Sequence, residues 1–511
     1  MNKERKLKVL LINPPFHRLK GFGHTYYPIG LGYLCSVANK LGMDARIYNA
    51  DAADMSEKVN HSENYNEKIR SHKKYIDALS DGGHYVWKEI DDVIRSCRPD
   101  VVGITVMTAK YASAMKVSQI AKSVNERIRV VWGGPHPTIC TKEVIGEPSV
   151  DFVVSGEGEK TLEELLAQLK RGSDDFGKIR GLAYKKNGIA QVNAPRELVQ
   201  SLDELTPPDR ENMVYPERYF ADSFSNMITS RGCPFLCGYC SAKSIWTRKT
   251  RYRSIDSVIS EIRGIKSKFG SKNFYFWDDS FTVNRNRAID ICNRLIGESL
   301  HISWGCTTRV DLLDEEVLHL MKKAGCDYIS IGVESGSEHI LKIIEKDITV
   351  QQVKKAVEMI KKSKIAFEAF FIIGFPDETK PDIEKTFQLM KEMEGGTVCF
   401  SVFTPYPGSA QFDTAKRYGL IPEKINWSDY SHQSSENYFV RDVSKNEFRG
   451  YVDKFSREVD AKNAKDLNIN RLFLRGLREF PNLIKRPGLV FHKGKTLLGI
   501  FRRRLFTYDS K

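Results

Sequence analysis

The chain has 511 residues, of which 41% are hydrophobic, 28% charged and 11% aromatic. This length and composition exclude a mini-protein, a fibre and a disordered chain, and they predict two or three globular domains. The formal net charge of +14 is uneven, because residues 471–511 contribute 11 basic side chains against two acidic ones. Since the rest of the chain is nearly balanced, we expect no specific nucleic-acid partner.

Export and membrane signals are weak in this sequence. The apolar run at 9–12 is too short for a signal peptide, and no run of about 18 apolar residues predicts a membrane-spanning helix. We therefore expect a cytoplasmic protein. The chain has ten cysteines, and in a reducing compartment a tight group of them predicts metal binding rather than disulfides.

The first part of the chain alternates short β-branched runs with helical stretches. The predicted strands are 8–13, 45–49, 101–106, 130–133 and 152–155, and the predicted helices lie near 30–41, 86–97, 110–126 and 159–171. Continuous apolar strands separated by helices indicate a parallel sheet covered on both faces. We predict a doubly wound, Rossmann-like α/β domain over 1–175. The polar stretch 55–81 is predicted to be a long, partly helical insertion that covers a functional site.

A hairpin and a linker are predicted over 176–222. The hairpin strands are 179–185 and 189–192, joined at Asn187-Gly188, and the linker crosses the surface. Six further strand and helix units follow, with strands at 226–230, 273–277, 302–306, 328–333, 367–373 and 398–402. They predict a partial (β/α)6 TIM-like barrel over 223–420, with its chemistry at the C-terminal strand ends. Residues 421–511 are predicted to form a helical region with a basic amphipathic tail.

Three cysteines form the sharpest motif. Cys233, Cys237 and Cys240 lie in a C-x3-C-x2-C loop directly after the first barrel strand. Three thiolates without a fourth partner nearby suit a [4Fe–4S] cluster with one open iron, whereas structural zinc normally takes four ligands. The alternatives are a zinc site completed by a distant ligand and unligated core cysteines.

Over 226–410 the chain resembles the radical SAM enzymes, which cleave S-adenosylmethionine (SAM) with such a cluster. In this resemblance Tyr239 lies against the SAM adenine. Asp278 or Asp279, at the end of the second strand, accepts hydrogen bonds from the SAM ammonium. Arg309, after the third strand, is placed to bind the SAM carboxylate through a bidentate fork.

Three further positions match the same family pattern. Glu334, after the fourth strand, resembles the acid that contacts ribose or the amino group. Gly374 closes the fifth strand and Pro405 follows the sixth, where the family has main-chain contacts to adenine and the barrel rim. Ordinary turn chemistry would also account for this Gly and this Pro.

The first domain resembles the cobalamin-binding class of that family. The motifs lie in the loops at the carboxyl ends of its strands. Open parallel sheets bind their ligands at that edge. The residues concerned are Pro14, Pro15, Gly133, Gly134, Pro135, His136, Gly156, Glu157 and Gly158. The D-x-H-x-x-G signature for a cobalt-ligating histidine is absent, so His136 is predicted to be a loop residue near the corrin and not an axial ligand. The alternative is a Rossmann-like scaffold without its cofactor.

Together the two resemblances imply an enzyme with a [4Fe–4S] cluster, SAM and cobalamin, which methylates an unactivated carbon of a small-molecule substrate. A reductant such as flavodoxin or ferredoxin is implied as a partner. The substrate pocket would lie between the domains, with Tyr406, Trp304 and Cys399 as lining candidates. The rivals are a non-methylating cyclase, rearrangement or oxidative enzyme on the same scaffold, and a corrinoid-dependent sensor without turnover.

The basic tail from 471 to 506 interleaves cations with apolar residues. Such segments bind anionic membrane surfaces, which predicts peripheral attachment to the inner face of the membrane and a lipophilic substrate. The alternatives are a tail helix packed on the barrel and non-specific RNA binding.

Overall fold

The computed structural model describes residues 6–23, 26–54, 57 and 65–466. Its first part contains a seven-stranded sheet in the order β2-β1-β3-β4-β5-β6-β7, in which the first five strands are parallel. The strands are β1 (Lys8–Asn13), β2 (Asp44–Asn49), β3 (Val101–Thr105), β4 (Arg129–Gly133), β5 (Phe152–Val154), β6 (Leu182–Lys186) and β7 (Ile189–Val192). The helices are α1 (Ile29–Lys40), α2 (Tyr65–Arg70), α3 (His72–Ser80), α4 (Tyr85–Cys97), α5 (Tyr111–Val124), α6 (Pro135–Ile139), α7 (Thr141–Gly146) and α8 (Gly158–Lys170).

Continuous burial explains why β1 lies inside this sheet. Its residues Val9 to Ile12 are all at most 2% exposed, as expected for a strand covered by helices on both faces. The doubly wound α/β domain predicted from the alternating pattern is confirmed. Its loops at the carboxyl ends of β1, β3, β4 and β5 share one edge.

The hairpin and linker complete the first sheet. Asn187 and Gly188 both have positive φ, 53° and 78°, which suits a two-residue turn between antiparallel strands. The linker then returns to the opposite edge, where Ile47 pairs in parallel with Met213. The main-chain N–H of Val214 donates to the Ile47 carbonyl at 2.8 Å. The linker therefore covers part of the exposed edge of β2, which limits unwanted strand pairing.

The second part contains six parallel strands in sequential order, β8-β11-β12-β13-β14-β15, within the described residues. The strands are β8 (Asn226–Met227), β9 (Ser230–Arg231), β10 (Arg251–Tyr252), β11 (Asn273–Phe276), β12 (Ser303–Arg309), β13 (Cys326–Glu334), β14 (Ala366–Ile373) and β15 (Thr397–Val402). The helices are α9 (Ala242–Trp246), α10 (Ile255–Phe269), α11 (Arg285–Gly297), α12 (Glu315–Lys323), α13 (Glu338–Ile343), α14 (Val350–Lys362), α15 (Lys380–Lys391), α16 (Ala410–Arg417) and α17 (Lys445–Asp466). The predicted partial (β/α)6 barrel is confirmed, and β9 pairs separately with β10.

The two faces of the barrel strands differ in exposure. Along β14 and β15 buried residues alternate with partly exposed ones, so the concave face is accessible while the convex face packs under helices. Cys399 belongs to the accessible set. Trp304 does not, because its ring packs on Phe276 and Phe281 and its indole N–H donates to the Ala324 carbonyl at 2.9 Å. The expectation that Trp304 lines a substrate pocket is therefore wrong.

Helix α17 connects the second part to the insertion of the first. The Phe455 ring lies between Phe387 and Phe400, with centroid distances of 5.2 and 5.3 Å. At its far end, Asp460 accepts the main-chain N–H of Tyr65 at 2.7 Å. The insertion is thus partly helical, as predicted. In the described part of the chain, no helix is both long and apolar enough to cross a membrane. The basic tail at 471–511 lies outside the described residues.

Candidate functional site

The cysteine loop, which we define as residues 232–241, begins directly after β9. Gly232 must be a glycine, because its φ is 101° and a side chain there would collide with the Lys249 carbonyl. The loop is tied to the barrel at Gly238, whose N–H donates to the Ile344 carbonyl at 2.7 Å. The carbonyl of Gly238 in turn accepts the N–H of Gln411 at 2.9 Å. The loop is therefore held from both sides of the barrel mouth.

The three loop cysteines are accessible free thiols, with Cys240 exposed and the other two partly exposed. Two N–H groups point at their sulfur atoms: Arg309 Nη1 lies 3.5 Å from Cys237 Sγ, and the N–H of Ala242 lies 3.4 Å from Cys240 Sγ. Hydrogen bonds to sulfur are the means by which proteins tune iron–sulfur clusters. The described residues hold no group of three or more His, Cys, Asp or Glu side chains around one metal-ion position. Cysteines on a cubane each bind a different iron and need no such common centre.

A buried network adjoins the cysteine loop. Glu334 accepts the Tyr239 hydroxyl at 2.7 Å and the Lys346 ammonium at 2.7 Å, and both charged groups are at most 6% exposed. Lys346 also donates to the Tyr239 oxygen at 3.2 Å. A register shift between Gly332 and Glu334 and a φ of 68° at Glu334 turn this carboxylate into the network. Left-handed backbone at a residue other than glycine is uncommon and concentrates at functional sites.

Arg309 joins this network to the cysteine loop. Its Nη2 donates to the Lys346 carbonyl at 2.6 Å, and its guanidinium carbon lies 3.8 Å from the centroid of Phe235. Its Nε and Nη2 bind Asp311 at 2.9 and 3.1 Å. The bidentate interaction that we predicted with the SAM carboxylate is thus made with the Asp311 carboxylate in this structure. The Arg309 Nη1 atom faces the cysteine loop. The role of Arg309 toward SAM stays a prediction.

Asp278 and Asp279 have different surroundings. Asp278 is 4% exposed and accepts four hydrogen bonds from Thr229 and Ser230, at 2.5 to 3.1 Å. Asp279 is exposed and accepts one, from the Gly232 N–H at 3.2 Å. Burial among neighbouring protein nevertheless raises the pKa of Asp279, and the Gly232 N–H offsets this only in part. Asp279 is therefore the more accessible of the two carboxyl groups.

The remaining predicted SAM contacts lie at the barrel rim. Gly374 has a φ of 92° and donates its N–H to the buried carboxyl of Glu378. Pro405 is buried in the turn after β15. Near it, the Tyr406 hydroxyl contacts His432 Nδ1 at 3.1 Å. Tyr406 and Cys399 are both partly exposed, and their place along a substrate pocket stays a prediction.

Exposed aromatic side chains of the two domains are in contact with each other. Tyr26, before α1, is 55% exposed and Trp277, after β11, is 48% exposed, with ring centroids 6.1 Å apart. The Tyr275 ring lies 4.7 Å from Trp277 on the concave face of the barrel. Large exposed apolar groups in one patch mark a binding surface.

The predicted corrin edge of the first domain contains both supporting and accessible residues. Pro14 and Pro15 are buried, and the Pro14 carbonyl accepts the Lys110 ammonium at 3.1 Å. Gly133, Gly134, Pro135, Gly156 and Gly158 are partly exposed. An added Cβ at Gly156 would meet nothing within 4 Å, and Met107 at the same edge is 57% exposed. An open glycine beside an exposed apolar side chain suits a large flat ligand.

His136 lies in α6 and is fully buried. The expectation that it is a loop residue is therefore wrong, because the chain turns into a short helix directly after Gly134. The His136 Nδ1 atom is 3.1 Å from Thr108 Oγ1, and its ring packs edge-on against Tyr111 and Trp427, at 5.0 and 4.8 Å. Burial lowers the pKa of His136 to about 4, so the imidazole is neutral. The Trp427 ring packs against it, and the expectation that His136 does not ligate cobalt stays a prediction.

Glu157 has partners that the sequence did not indicate. Its carboxylate binds Arg231 and Arg251, each at 2.7 Å, and accepts the Val199 N–H at 2.7 Å. Burial alone would raise the pKa of Glu157, but the two arginines outweigh burial and lower it. This residue therefore connects the corrin edge to the barrel. Lys346 is likewise a site residue that sequence reasoning missed, because it belongs to none of the motifs.

Comparisons with known proteins agree with this geometry. The family model described as Radical SAM superfamily matches residues 227–390, and the B12 binding domain model matches residues 19–166. An uncharacterized methyltransferase of Pyrococcus horikoshii is 36% identical over 83% of this chain and 86% of its own length. The anaerobic magnesium-protoporphyrin IX monomethyl ester cyclase of Rubrivivax gelatinosus is 32% identical over 63% of this chain and 60% of its own.

Two solved structures share the fold. TsrM of Kitasatospora setae, a radical S-adenosylmethionine methyltransferase, superposes with a TM-score of 0.64 at 17% identity over 83% of this chain and 82% of its own. The cobalamin-dependent radical enzyme OxsB superposes with a TM-score of 0.67 at 16% identity over 96% of this chain and 72% of its own.

The fold and the cysteine loop define a radical SAM enzyme with a corrinoid domain. With the relatives above, the chain belongs to the cobalamin-dependent radical SAM methyltransferase family. Its cofactors are a [4Fe–4S] cluster, SAM and cobalamin, and it acts on a small molecule with the help of a reductant.

Proposed function

We propose that this enzyme methylates an unactivated carbon of a small molecule bound in the cleft between the two domains. The observation that carries the proposal is the continuous network from Glu334 through Tyr239, Lys346 and Arg309 to Cys237. When bound, the cluster supplies the electron that cleaves SAM and the corrinoid carries a methyl group. The protein's contribution is to hold these groups and the substrate carbon together and to exclude water.

The three cysteines Cys233, Cys237 and Cys240 are proposed to hold the cluster, with Arg309 Nη1 donating to one sulfur. The SAM methionyl end is proposed to lie between Asp279 and the Arg309 side of the network. Asp279 is the better acceptor for the ammonium, because the Asp278 oxygens already accept four hydrogen bonds. Tyr239 is proposed to support adenine and Lys346 to orient the Glu334 carboxylate. Gly374 and Pro405 remain proposed rim contacts to adenine.

The corrinoid is proposed to bind above Pro14, Pro15, Gly133, Gly134, Pro135, Gly156 and Gly158. His136 is then a supporting residue below the edge, and Glu157 ties that edge to the barrel. The open space at Gly156 and the exposure of Met107 support this placement. We place domain boundaries at 1–175, 176–222, 223–420 and 421–511.

The test begins with full-length protein expressed with cobalamin and purified without oxygen. We expect about four irons per chain and one extractable corrinoid, together with 5′-deoxyadenosine under reducing conditions. A label in the SAM methyl group should then appear on carbon in the product. C233A should abolish deoxyadenosine formation, while C97A, on the far side of the first domain, should not. Iron without corrinoid would contradict the methylation proposal.

Cyclisation or oxidation is the second candidate, supported by the 32% identity to the cyclase of Rubrivivax gelatinosus. The two functions differ in the fate of the label. Deoxyadenosine together with an unmethylated, dehydrogenated or cyclised product would favour the second candidate. Failure to make any deoxyadenosine would favour a corrinoid-binding sensor.

A lipophilic substrate and peripheral membrane contact are proposed from residues 471–511, with flavodoxin or ferredoxin as the electron donor. Each cation near an anionic headgroup contributes about 1 kcal/mol. Full-length protein should therefore float with anionic liposomes at low salt, whereas a chain ending at Asn470 should not. Equal recovery of both chains would contradict membrane contact.

A further inference from the structure

Four buried charged residues connect the two domains beside the cysteine loop. Glu157 and Glu159 come from the start of α8, and Arg231 and Arg251 from β9 and β10. Each of the four is at most 8% exposed. Arg231 binds Glu157 at 2.7 Å and Glu159 at 2.5 Å, and Arg251 binds Glu157 at 2.7 Å. We call this set the interdomain ion network.

The two arginines would repel each other without the glutamates. Arg231 and Arg251 are direct partners in the antiparallel β9–β10 ladder, and like charges in such positions destabilise strand pairing. Two carboxylates from the first domain neutralise them, so the network has no net charge. Buried charges are tolerated only when they are paired in this way.

The β9–β10 pair forms the base of the segment that holds the cysteines. Arg231 precedes Cys233 by two residues, and residues 232–250 make one excursion between the two strands. If the strands separate, this excursion loses the anchor at its base and is held only by the bonds of its middle and start, such as those of Gly238 to Ile344 and Gln411. The position of the cysteine loop therefore depends on carboxylates of the other domain.

The glutamates in turn belong to the predicted corrin edge. Glu157 follows the open Gly156 directly and occupies the position before the first residue of α8, without a side-chain hydrogen bond to the helix start. Arg251 Nε and Nη2 have no hydrogen-bond partner among the described residues. The hydrogen bonds of this guanidinium therefore go to Glu157 and to the Val199 carbonyl. A displacement of the loop at Gly156 would move the Glu157 carboxylate, and both arginines bind that carboxylate.

We propose that Glu157, Glu159, Arg231 and Arg251 are positioning residues that couple the corrin edge to the cysteine loop. The inference rests on the proposed function, because that function needs two cofactor sites, and these contacts would fix the distance between them. The coupling is reciprocal: a ligand on the first domain orders the cysteine loop, and an ordered loop favours that ligand.

The test uses hydrogen exchange of the full-length protein without cofactors. E157Q and E159Q keep the side-chain shape and remove the charge. We expect amide exchange in residues 230–252 to be at least tenfold faster in E157Q and several-fold faster in E159Q. The matched control is E164Q. Glu164 lies on the same helix and makes an ion pair with Arg196, but its side chain is 46% exposed.

A second readout uses the reconstituted protein. Hydroxocobalamin should slow both exchange in 230–252 and chelator-driven iron loss in wild type and E164Q, and should have less than half that effect in E157Q. Wild-type exchange in both glutamine variants, or an unchanged effect of hydroxocobalamin in E157Q, would overturn the proposal. If E157Q does not fold, judged by circular dichroism, E159Q decides. Absence of deoxyadenosine in wild type would contradict the proposed function alone, because the exchange data do not depend on turnover.

Discussion

Asp278 and Asp279 are neighbours in the chain, but their hydrogen bonds separate their roles. Asp278 is fully engaged by Thr229 and Ser230, which precede the cysteine loop. Asp279 is exposed and accepts one hydrogen bond. A buried acceptor of this kind stabilises the fold, whereas an accessible one can bind a ligand.

We expect D279N to weaken SAM binding about 10-fold to 100-fold, because a hydrogen bond to a charged group contributes about 1.5–3 kcal/mol. Its unfolding free energy should change little. D278N should do the opposite, lowering stability by about 2–3 kcal/mol. An amide nitrogen would replace Oδ2, which accepts the Thr229 and Ser230 hydroxyls, while Oδ1 would keep both main-chain donors. Isothermal titration with SAM and denaturant unfolding of both variants separate the two effects. A SAM affinity equally reduced in both would contradict the division.

Glu378 predicts a pH dependence of stability. Burial raises its pKa from an ordinary value of 4.5 to about 8, and the N–H groups of Gly374 and Phe375 lower it only in part. Between those two values the folded protein holds a proton that the unfolded chain releases. Stability contributed by this group therefore falls as pH rises through that window, by up to about 1.4 kcal/mol per pH unit, and levels off above pH 8.

E378Q removes that titration. We expect the difference in unfolding free energy, variant minus wild type, to rise steadily between pH 5 and pH 8. Urea unfolding at four pH values measures it. E384Q serves as the control, because Glu384 lies on α15 and makes a partly exposed ion pair with Lys454. Parallel pH profiles for E378Q and wild type would show that Glu378 is ionised in the folded protein.

At the residue scale, sequence motifs locate a side chain but not its partners. The sequence places Glu334 and Arg309 at successive strand ends, and the structure brings both to one network. It does not reveal that Asp311 occupies the Arg309 fork, or that Lys346, twelve positions after Glu334, returns to it. Those contacts depend on how the α13–α14 loop folds back, which no local pattern encodes.

Helix α14 begins immediately after that loop, and its start is defined by a capping box. Thr349 accepts the Gln352 N–H at 3.2 Å, and the Gln352 side chain accepts the Thr349 N–H at 2.7 Å. Glu345 and Asp347, on either side of Lys346, have positive φ of 50° and 53°. The cap therefore fixes the end of a strained loop that carries a site residue.

T349A should lower the unfolding free energy by about 1 kcal/mol, the usual cost of losing an N-cap hydroxyl. T349S keeps the hydroxyl and should behave as wild type. Thermal unfolding of the three proteins measures the difference. If T349A matches T349S, the Val350 N–H bond to Glu338 is sufficient to hold the helix start.

The sequence predicts where a strand or helix lies more reliably than which of its side chains face a site. Periodicity and turn residues located the barrel strands within a few residues, because hydrophobic alternation follows strand geometry. The same pattern misplaced Trp304, since an aromatic residue in a barrel strand suits either the lumen or the layer beneath the helices. Only the packing of Phe276 and Phe281 decides for the second.

At the scale of the whole molecule, the contacts that join the domains include the interdomain ion network, the bonds from Asp460 to the start of α2, and the packing of Trp427 on His136. They come from distant parts of the chain and reach different sides of the first domain. Domains joined in this way should unfold together, unlike domains connected by a linker alone.

We therefore expect one thermal transition for the full-length protein, with helix loss and iron loss at the same temperature. Hydroxocobalamin at 100 times its dissociation constant should add about 2.7 kcal/mol of stability, and it should shift the loss of iron as much as the loss of helix. Circular dichroism and iron absorbance, followed in one sample, make the comparison. Two resolved transitions, with only the earlier one moved by the corrinoid, would mean that the domains are stabilised separately and that corrin binding does not reach the barrel.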